Sequence, residues 1–435
     1  MCLISGNMTD QLTKGDSHTS YARPSLGMGR GTAMYIGAIL GPGILALPGL
    51  AAAEAGPASI VTWIVLLGLS VPVALSFAAL AAKFPDAGGV ATFVRRAFGA
   101  RPAGIVGWWF YCVIPIGAWT AGIIGAEYVG EALGLGGTGK LLIGLGLLAA
   151  AFGANHLGLR LSGGTQLLLM IVLVLLLGVA TVAGALHVSA ANLTPFAPHG
   201  VAGIVSAAGV LFYAFAGWEA ASHLSGEFTD PARQLRRVTG YTLLIVSVLY
   251  IGLSIVTVGA LGGDAATSPV ALTALLTYAL GPAAAPVTAI IALVLSFGAL
   301  NTFVAGASRL GAALARDGDL PAVLARGGRP GEIPHRSLLL LGSLTAVATT
   351  VSITFSFNLD DLMRATSACL AAVTVLGCAA AVRLLRGRSA RAMAIAATGF
   401  TTVVLASMAW YLLVPLGIAA LALGYRWTRR ERPTH

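Results

Sequence analysis

Three carboxylates lie deep inside apolar stretches of this chain: Glu127, Glu131 and Glu219. An ionised Asp at the centre of a membrane helix costs roughly 2.5–3.5 kcal/mol. A carboxylate held there is neutral, paired or in water, so its protonation can respond to water access. Glu219 ends the run Tyr213-Ala214-Phe215-Ala216-Gly217-Trp218-Glu219, where a glycine and a small residue interrupt an apolar helix. We expect it to handle protons or gate rather than only brace the bundle. Glu127 and Glu131 are one helical turn apart near the outer end of their stretch, and a solvated vestibule face explains them. His223 follows Glu219 by four residues. A metal site needs three or four ligands, and neither an H-E-x-x-H pattern nor a Cys/His cluster is present, so no metal is expected. No nucleophile, base and orienting group are grouped as a catalytic site would require. The chain is therefore read as a non-enzyme with no cofactor.

The second chemical feature is broken backbone. The run Ile39-Leu40-Gly41-Pro42-Gly43-Ile44 falls in the middle of an apolar stretch. Pro42 cannot donate a helix hydrogen bond, and two glycines flank it. A simple proline kink would account for this segment alone. The interruption near Gly217 lies five stretches later, however, and paired interruptions in two halves point to a transporter built from inverted repeats. Unwound backbone at that depth must be buried or line a cavity. Its free N–H groups, at a half-helix N-terminus, suit a carboxylate, and its free carbonyls suit an ammonium or a cation. An amino acid carries both groups.

The elements that hold these breaks follow from composition. Of 435 residues, 57% are hydrophobic and 10% charged, whereas soluble domains carry about 25% charged residues. Apolar runs of roughly 20 residues, the length that spans a bilayer, recur between turn signals. They give about twelve transmembrane helices, at residues 30–54, 57–82, 103–132, 140–156, 163–187, 201–225, 236–261, 285–315, 337–356, 361–385, 391–408 and 411–427. Only Trp410 and Tyr411 separate the last two, so eleven helices is the alternative count. The net charge of +10 does not signal nucleic acid, because the basic residues sit in short loops between the runs. With both termini in the cytoplasm, only Lys140 and Arg364 of the 26 Lys and Arg residues fall outside. Arg364 follows Asp360 and Asp361, and a surface ion pair suffices there. Residues 1–28 and 428–435 read as polar cytoplasmic tails, the first lacking the apolar core of a signal peptide. Trp108, Trp109, Trp119, Trp410, Tyr411 and Trp427 fall mostly near span ends and read as an interfacial belt. Cys112, Cys369 and Cys378 lie in apolar runs and read as packing residues.

Four stretches together resemble the amino acid–polyamine–organocation transporters over nearly the whole chain. They are Gly41-Pro42-Gly43-Ile44; Phe84-Pro85-Asp86-Ala87-Gly88-Gly89 with Phe98-Gly99; Phe215-Ala216-Gly217-Trp218-Glu219; and Ala315-Arg316-Asp317-Gly318-Asp319-Leu320-Pro321. Within that family, Val113-Ile114-Pro115-Ile116-Gly117 and residues 219–228 resemble the bacterial exporters of methionine and branched-chain amino acids. The resemblance implies an all-α fold of the LeuT type. Repeat one would cover about 30–187, repeat two about 201–385, and two extra helices about 391–427. It also implies that the N–H groups of Gly43 and Ile44, beside Gly41 and Pro42, hold the substrate carboxylate. The carbonyls of Ile39, Tyr213 and Ala216 would hold its ammonium, and Asn301 would face the side-chain pocket. Pro42 stands where many relatives have Ser or Thr, which removes one donor. The helix-five lysine of many proton-coupled relatives is absent from 163–187, which shifts proton coupling towards Glu219.

The expected function is movement of neutral amino acids of the methionine and branched-chain type across the bacterial cytoplasmic membrane. The mechanism would be alternating access, with the protein working as an H+-coupled exporter or exchanger. Rival readings are an uptake permease or a basic amino acid/polyamine antiporter of the same fold. In a different class stands a membrane amino acid sensor that binds without exchanging. A channel fits less well, because broken helices suggest an occluded site.

Overall fold

A computed structural model describes residues 27–84, 89–159, 163–215, 217, 218, 228, 230–327 and 332–430. The described residues form helices, with no paired strands long enough to make a sheet. In chain order the helices are α1 (Met28–Ile39), α2 (Leu47–Ala55), α3 (Ser59–Lys83), α4 (Gly89–Phe98), α5 (Ala100–Ala132), α6 (Gly137–His156), α7 (Gly163–Ala185) and α8 (Gly200–Leu211). They continue as α9 (Pro231–Leu261), α10 (Asp264–Thr267), α11 (Ala271–Leu280), α12 (Ala284–Arg316), α13 (His335–Thr354), α14 (Leu359–Leu384), α15 (Arg388–Ser407) and α16 (Leu413–Arg430).

Among the described residues, ten helical stretches are long and apolar enough to cross a bilayer. They correspond to ten of the twelve runs expected from the sequence. The other two are the first and the sixth, the two that carry breaks. Neither is filled by one helix: α1 and α2 have 12 and 9 residues, and α8 has 12 before its turn begins. The last two runs are separate helices, because a 3-10 turn at Ala409–Leu412 divides α15 from α16 and Ala409 has φ +46°. Periodicity did not reveal three short elements: α4, and the pair α10 and α11 in the loop after α9. Helix α4 puts Val90, Phe93, Val94 and Ala97 inward and ends on Arg95 and Arg96, an amphipathic pattern that lies along a bundle rather than through it.

Local chemistry starts and stops these helices. Pro231 opens α9, where a missing N–H costs nothing, and the Asp230 carboxylate accepts from the Arg233 N–H. A reciprocal capping box of Asn358 and Asp361 opens α14. The long helix α12 packs along α5; α2 packs on α8, and α1 on α9. One buried cluster, including Leu47, Phe77, Phe93, Leu211, Tyr250 and Val373, joins both halves of the chain around the breaks.

Candidate functional site

The first break forms where the sequence removes helix donors. Helix α1 ends at Ile39, and Gly41 is extended at φ −79° and ψ −179°. A 3-10 turn over Pro42–Leu45 then leads into α2, with Pro42 at its first position. Pro42, Gly43, Ile44 and Leu45 are all buried. Rebuilt backbone bonds satisfy part of the segment: Gly41 N–H donates to Ile39 O at 2.9 Å, Ile44 N–H to Gly41 O at 3.3 Å and Ala46 N–H to Gly43 O at 3.0 Å. The Gly43 N–H has no acceptor among the described residues. A buried, unpaired backbone donor is rare, and this one is at the N-terminal end of a half-helix, where anions are favoured.

The second break begins after α8. The chain tightens into a 3-10 turn over Phe212–Phe215, and Gly217 takes φ +150°, a backbone that side chains disfavour. Trp218 is buried. The two breaks meet: the Tyr213 ring lies flat enough against Gly43 that a Cβ there would sit 2.6 Å from Cε1.

One phenol spans both breaks. Tyr250 Oη of α9 lies 3.3 Å from Ile39 O and 3.4 Å from Ala214 O. A phenol carries a single proton, so it can serve only one of these carbonyls at a time. The other stays available to an incoming donor. Trp63 of α3 packs against Tyr250 in a tilted arrangement at 4.8 Å between centroids, and Phe215 stands edge-on to Tyr250 at 6.2 Å. Both Trp63 and Trp218 bury an indole N–H with no partner among the described residues. On the other side of the first break, Tyr128 of α5 donates to Leu45 O at 2.8 Å.

Of the residues singled out from the sequence, Ile39, Gly41, Pro42, Gly43, Ile44 and Tyr213 come together here. Ala216, Glu219 and His223 lie outside the described residues. Asn301 is buried on α12, and its side chain is engaged elsewhere: Asn155 Nδ2 of α6 donates to Asn301 Oδ1 at 2.7 Å and approaches Asn301 O at 3.2 Å. This is a helix-to-helix tie. Sequence reasoning missed Tyr250, Trp63 and Tyr128. A signal existed for Tyr250, which sits in the middle of its run, whereas Trp63 and Tyr128 lie near run ends as belt aromatics do.

The structure corrects three peripheral readings. Arg364 is not a surface residue: it is 8% exposed and makes contacts to three helices. Glu127 and Glu131 are not simply solvated, because Lys140 pairs with them at 2.8 and 3.4 Å. Three of the supposed belt tryptophans are tied into the bundle by hydrogen bonds. Trp108 donates to Asp319 O, Trp109 to Pro415 O and Trp119 to Ser352 Oγ. Trp410 and Trp427 are exposed, as a belt requires.

Comparison with known proteins agrees with this geometry. The family model described as amino acid permease matches residues 26–435. The uncharacterized amino acid permease YecA of Bacillus subtilis is 31% identical, over 92% of this chain and 95% of that protein. The L-methionine/branched-chain amino acid exporter YjeH of Escherichia coli is 30% identical, over 93% and 97%. Among solved structures, MhsT in complex with L-phenylalanine superposes with a TM-score of 0.60 over 92% of this chain and 99% of that one, at 13% identity. The Eremococcus coleocola manganese transporter gives 0.57 over 93% and 94%, at 12% identity. Those two likenesses carry the fold, a LeuT-type bundle of helices.

Proposed function

The chain belongs to the amino acid permease family, and from that premise we propose that it exports or exchanges neutral amino acids, of the methionine and branched-chain type, against protons. The observation that carries the reading is the pairing at the breaks. A Gly43 N–H without an acceptor among the described residues lies on one side, and the Ile39 and Ala214 carbonyls share one phenol proton on the other. That arrangement offers a donor to a carboxylate and an acceptor to an ammonium within one buried site. The relative YjeH, named as an exporter of methionine and branched-chain amino acids, supports the substrate class.

In this mechanism the substrate carboxylate takes the Gly43 N–H at the start of the half-helix. Its ammonium donates to a carbonyl at the end of α1 or in the second break, Ile39 or Ala214, with those of Tyr213 and Ala216 as further acceptors. Tyr250 then turns its proton to whichever carbonyl the ammonium leaves. Trp63 and Phe215 keep water from the breaks and so strengthen these contacts. Glu219 changes protonation as the site opens to one side or the other. The membrane is the bacterial cytoplasmic membrane, with both termini inside.

Counterflow tests the proposal. Liposomes containing the purified protein and excess unlabelled methionine should accumulate radiolabelled methionine and leucine transiently, and should not accumulate lysine. Saturable binding without counterflow would make the protein a sensor; lysine exchange would make it an antiporter of basic substrates.

A further inference from the structure

Arg364 lies in the first turns of α14, and each of its guanidinium nitrogens serves a different group. Nη2 pairs with Glu54 at 3.1 Å, at the C-terminal end of α2. Nη1 donates to Ser206 O of α8 at 2.8 Å. Nε pairs with Asp360 of its own helix at 2.6 Å. The guanidinium rests on the backbone of α8 at Gly209, where a Cβ would come within 3.0 Å of Nη1. Asp361, beside this cluster, accepts from the Tyr411 hydroxyl at 2.7 Å and also caps α14.

The two helices that Arg364 joins to α14 are the two half-helices of the breaks. Helix α2 follows the first break, and α8 precedes the second. A substrate reaching the breaks from this face, the outer one in the orientation proposed above, needs α2 and α8 to part from α14. Separation would pull two of the three guanidinium contacts apart and wet the third. A buried Arg that loses its carboxylate is strongly destabilising, so the closed arrangement is held until opening admits water. The planar fork spreads its donors over three nitrogens and so reaches three separated groups, whereas lysine gathers its donors on one nitrogen.

We propose that Arg364 is a positioning residue that latches α2 and α8 onto α14 and closes the outer face of the site. This rests on the transport reading, but its test needs no substrate. The four native cysteines are replaced and Ala207, fully buried on α8, is changed to cysteine. A membrane-impermeant maleimide is then added from the outer face in vesicles. Arg364→Lys should raise the labelling rate about tenfold, the effect of shifting the open state by one order of magnitude. Glu54→Gln, a mild change at a half-exposed side chain, should raise it in the same direction. A cysteine replacing Ala103, buried at the opposite end of the bundle and labelled in inside-out vesicles, reports general loosening. Equal labelling in parent, Arg364→Lys and Glu54→Gln overturns the proposal, and so does a rise of the same size on both faces. Failure of counterflow with the expected labelling would reject transport while leaving the latch intact.

Discussion

A side chain on Gly43 would collide with Tyr213: its Cβ would lie 2.6 Å from Cε1 and 2.7 Å from Cδ1 of the ring. Those two residues come from the two breaks, 170 positions apart in the sequence, and their contact is what makes the breaks one site. The separation is closer than real Cβ contacts allow, and those atoms belong to a partly buried aromatic ring rather than a flexible chain end. We therefore expect Gly43→Val to abolish amino acid binding while expression and monodispersity persist. Pairing it with Tyr213→Leu separates the causes, because that change removes the ring and keeps the Tyr213 backbone. Binding should stay lost in the double variant if Gly43 matters for approach to its own N–H. Recovery in isothermal titration would make the ring clash the whole effect.

The Gly43 N–H, which has no acceptor among the described residues, also makes a prediction about ligands. A methyl ester lacks the negative charge that a half-helix N-terminus favours. Methionine methyl ester should compete for binding far less well than methionine. Equal competition would remove the anion site from the first break.

Tyr250 should be sensitive to loss of one oxygen. Tyr250→Phe keeps the ring contact with Trp63 and leaves the Ile39 and Ala214 carbonyls without their shared proton. A hydrogen bond of this kind contributes about 1 kcal/mol. We expect apparent affinity to change by about fivefold with little change in thermal stability, which equilibrium binding and a melting curve read separately. A large drop in melting temperature with unchanged affinity would make Tyr250 a brace.

Much of the fold was legible because its driving residues are local. Apolar runs fixed the helices, and Pro42 with its flanking glycines fixed where the first would break. The two runs that no single helix fills are those whose glycines had marked them as interrupted. The site was legible only where backbone makes it, since Gly43 and Ile39 act through N–H and C=O groups that a local motif predicts. Contacts made by long-range packing were not. Nothing in the sequence near Tyr250 says that α9 crosses both breaks. Asn301 looked like a pocket residue, yet Asn155 from α6 claims its amide. Arg364 looked like a surface cation because its acidic neighbours are local, whereas its decisive partners are Glu54 and Ser206, far away in the chain. The two cations that depart from the inside-positive pattern, Lys140 and Arg364, are both paired with carboxylates.

The Asn155–Asn301 tie leads to a fourth expectation. Both groups are buried, and removing one partner leaves the other unsatisfied at a cost of about 1–3 kcal/mol. Asn301→Ala and Asn155→Ala should each lower stability, and the double variant should lose less than the sum. If Asn301 also faces substrate, Asn301→Trp will exclude bulkier amino acids while Asn155→Ala leaves the preference order unchanged. An identical substrate profile in Asn301→Trp confines Asn301 to bracing α12 against α6.

Proton coupling gives the last expectation, and it rests on Glu219. The residue follows Gly217 and Trp218 in the sequence, within the run read as the sixth span, where an ionised carboxylate near the centre would be costly. Opening to water on one side relieves that cost, so a proton can bind inward- and outward-open states unequally. Unequal binding is what coupling requires, since a ligand shifts an equilibrium only by its difference in affinity for the two states. No lysine lies in α7 to take the role. The rival account is a neutral carboxyl that merely hydrogen-bonds across the bundle. Glu219→Gln separates the two, because Gln keeps the shape and a donor but cannot titrate. The variant should still exchange methionine for methionine in liposomes, while an imposed pH gradient no longer drives net flux. Gradient-driven accumulation at the parental level would make Glu219 structural and place coupling on another group.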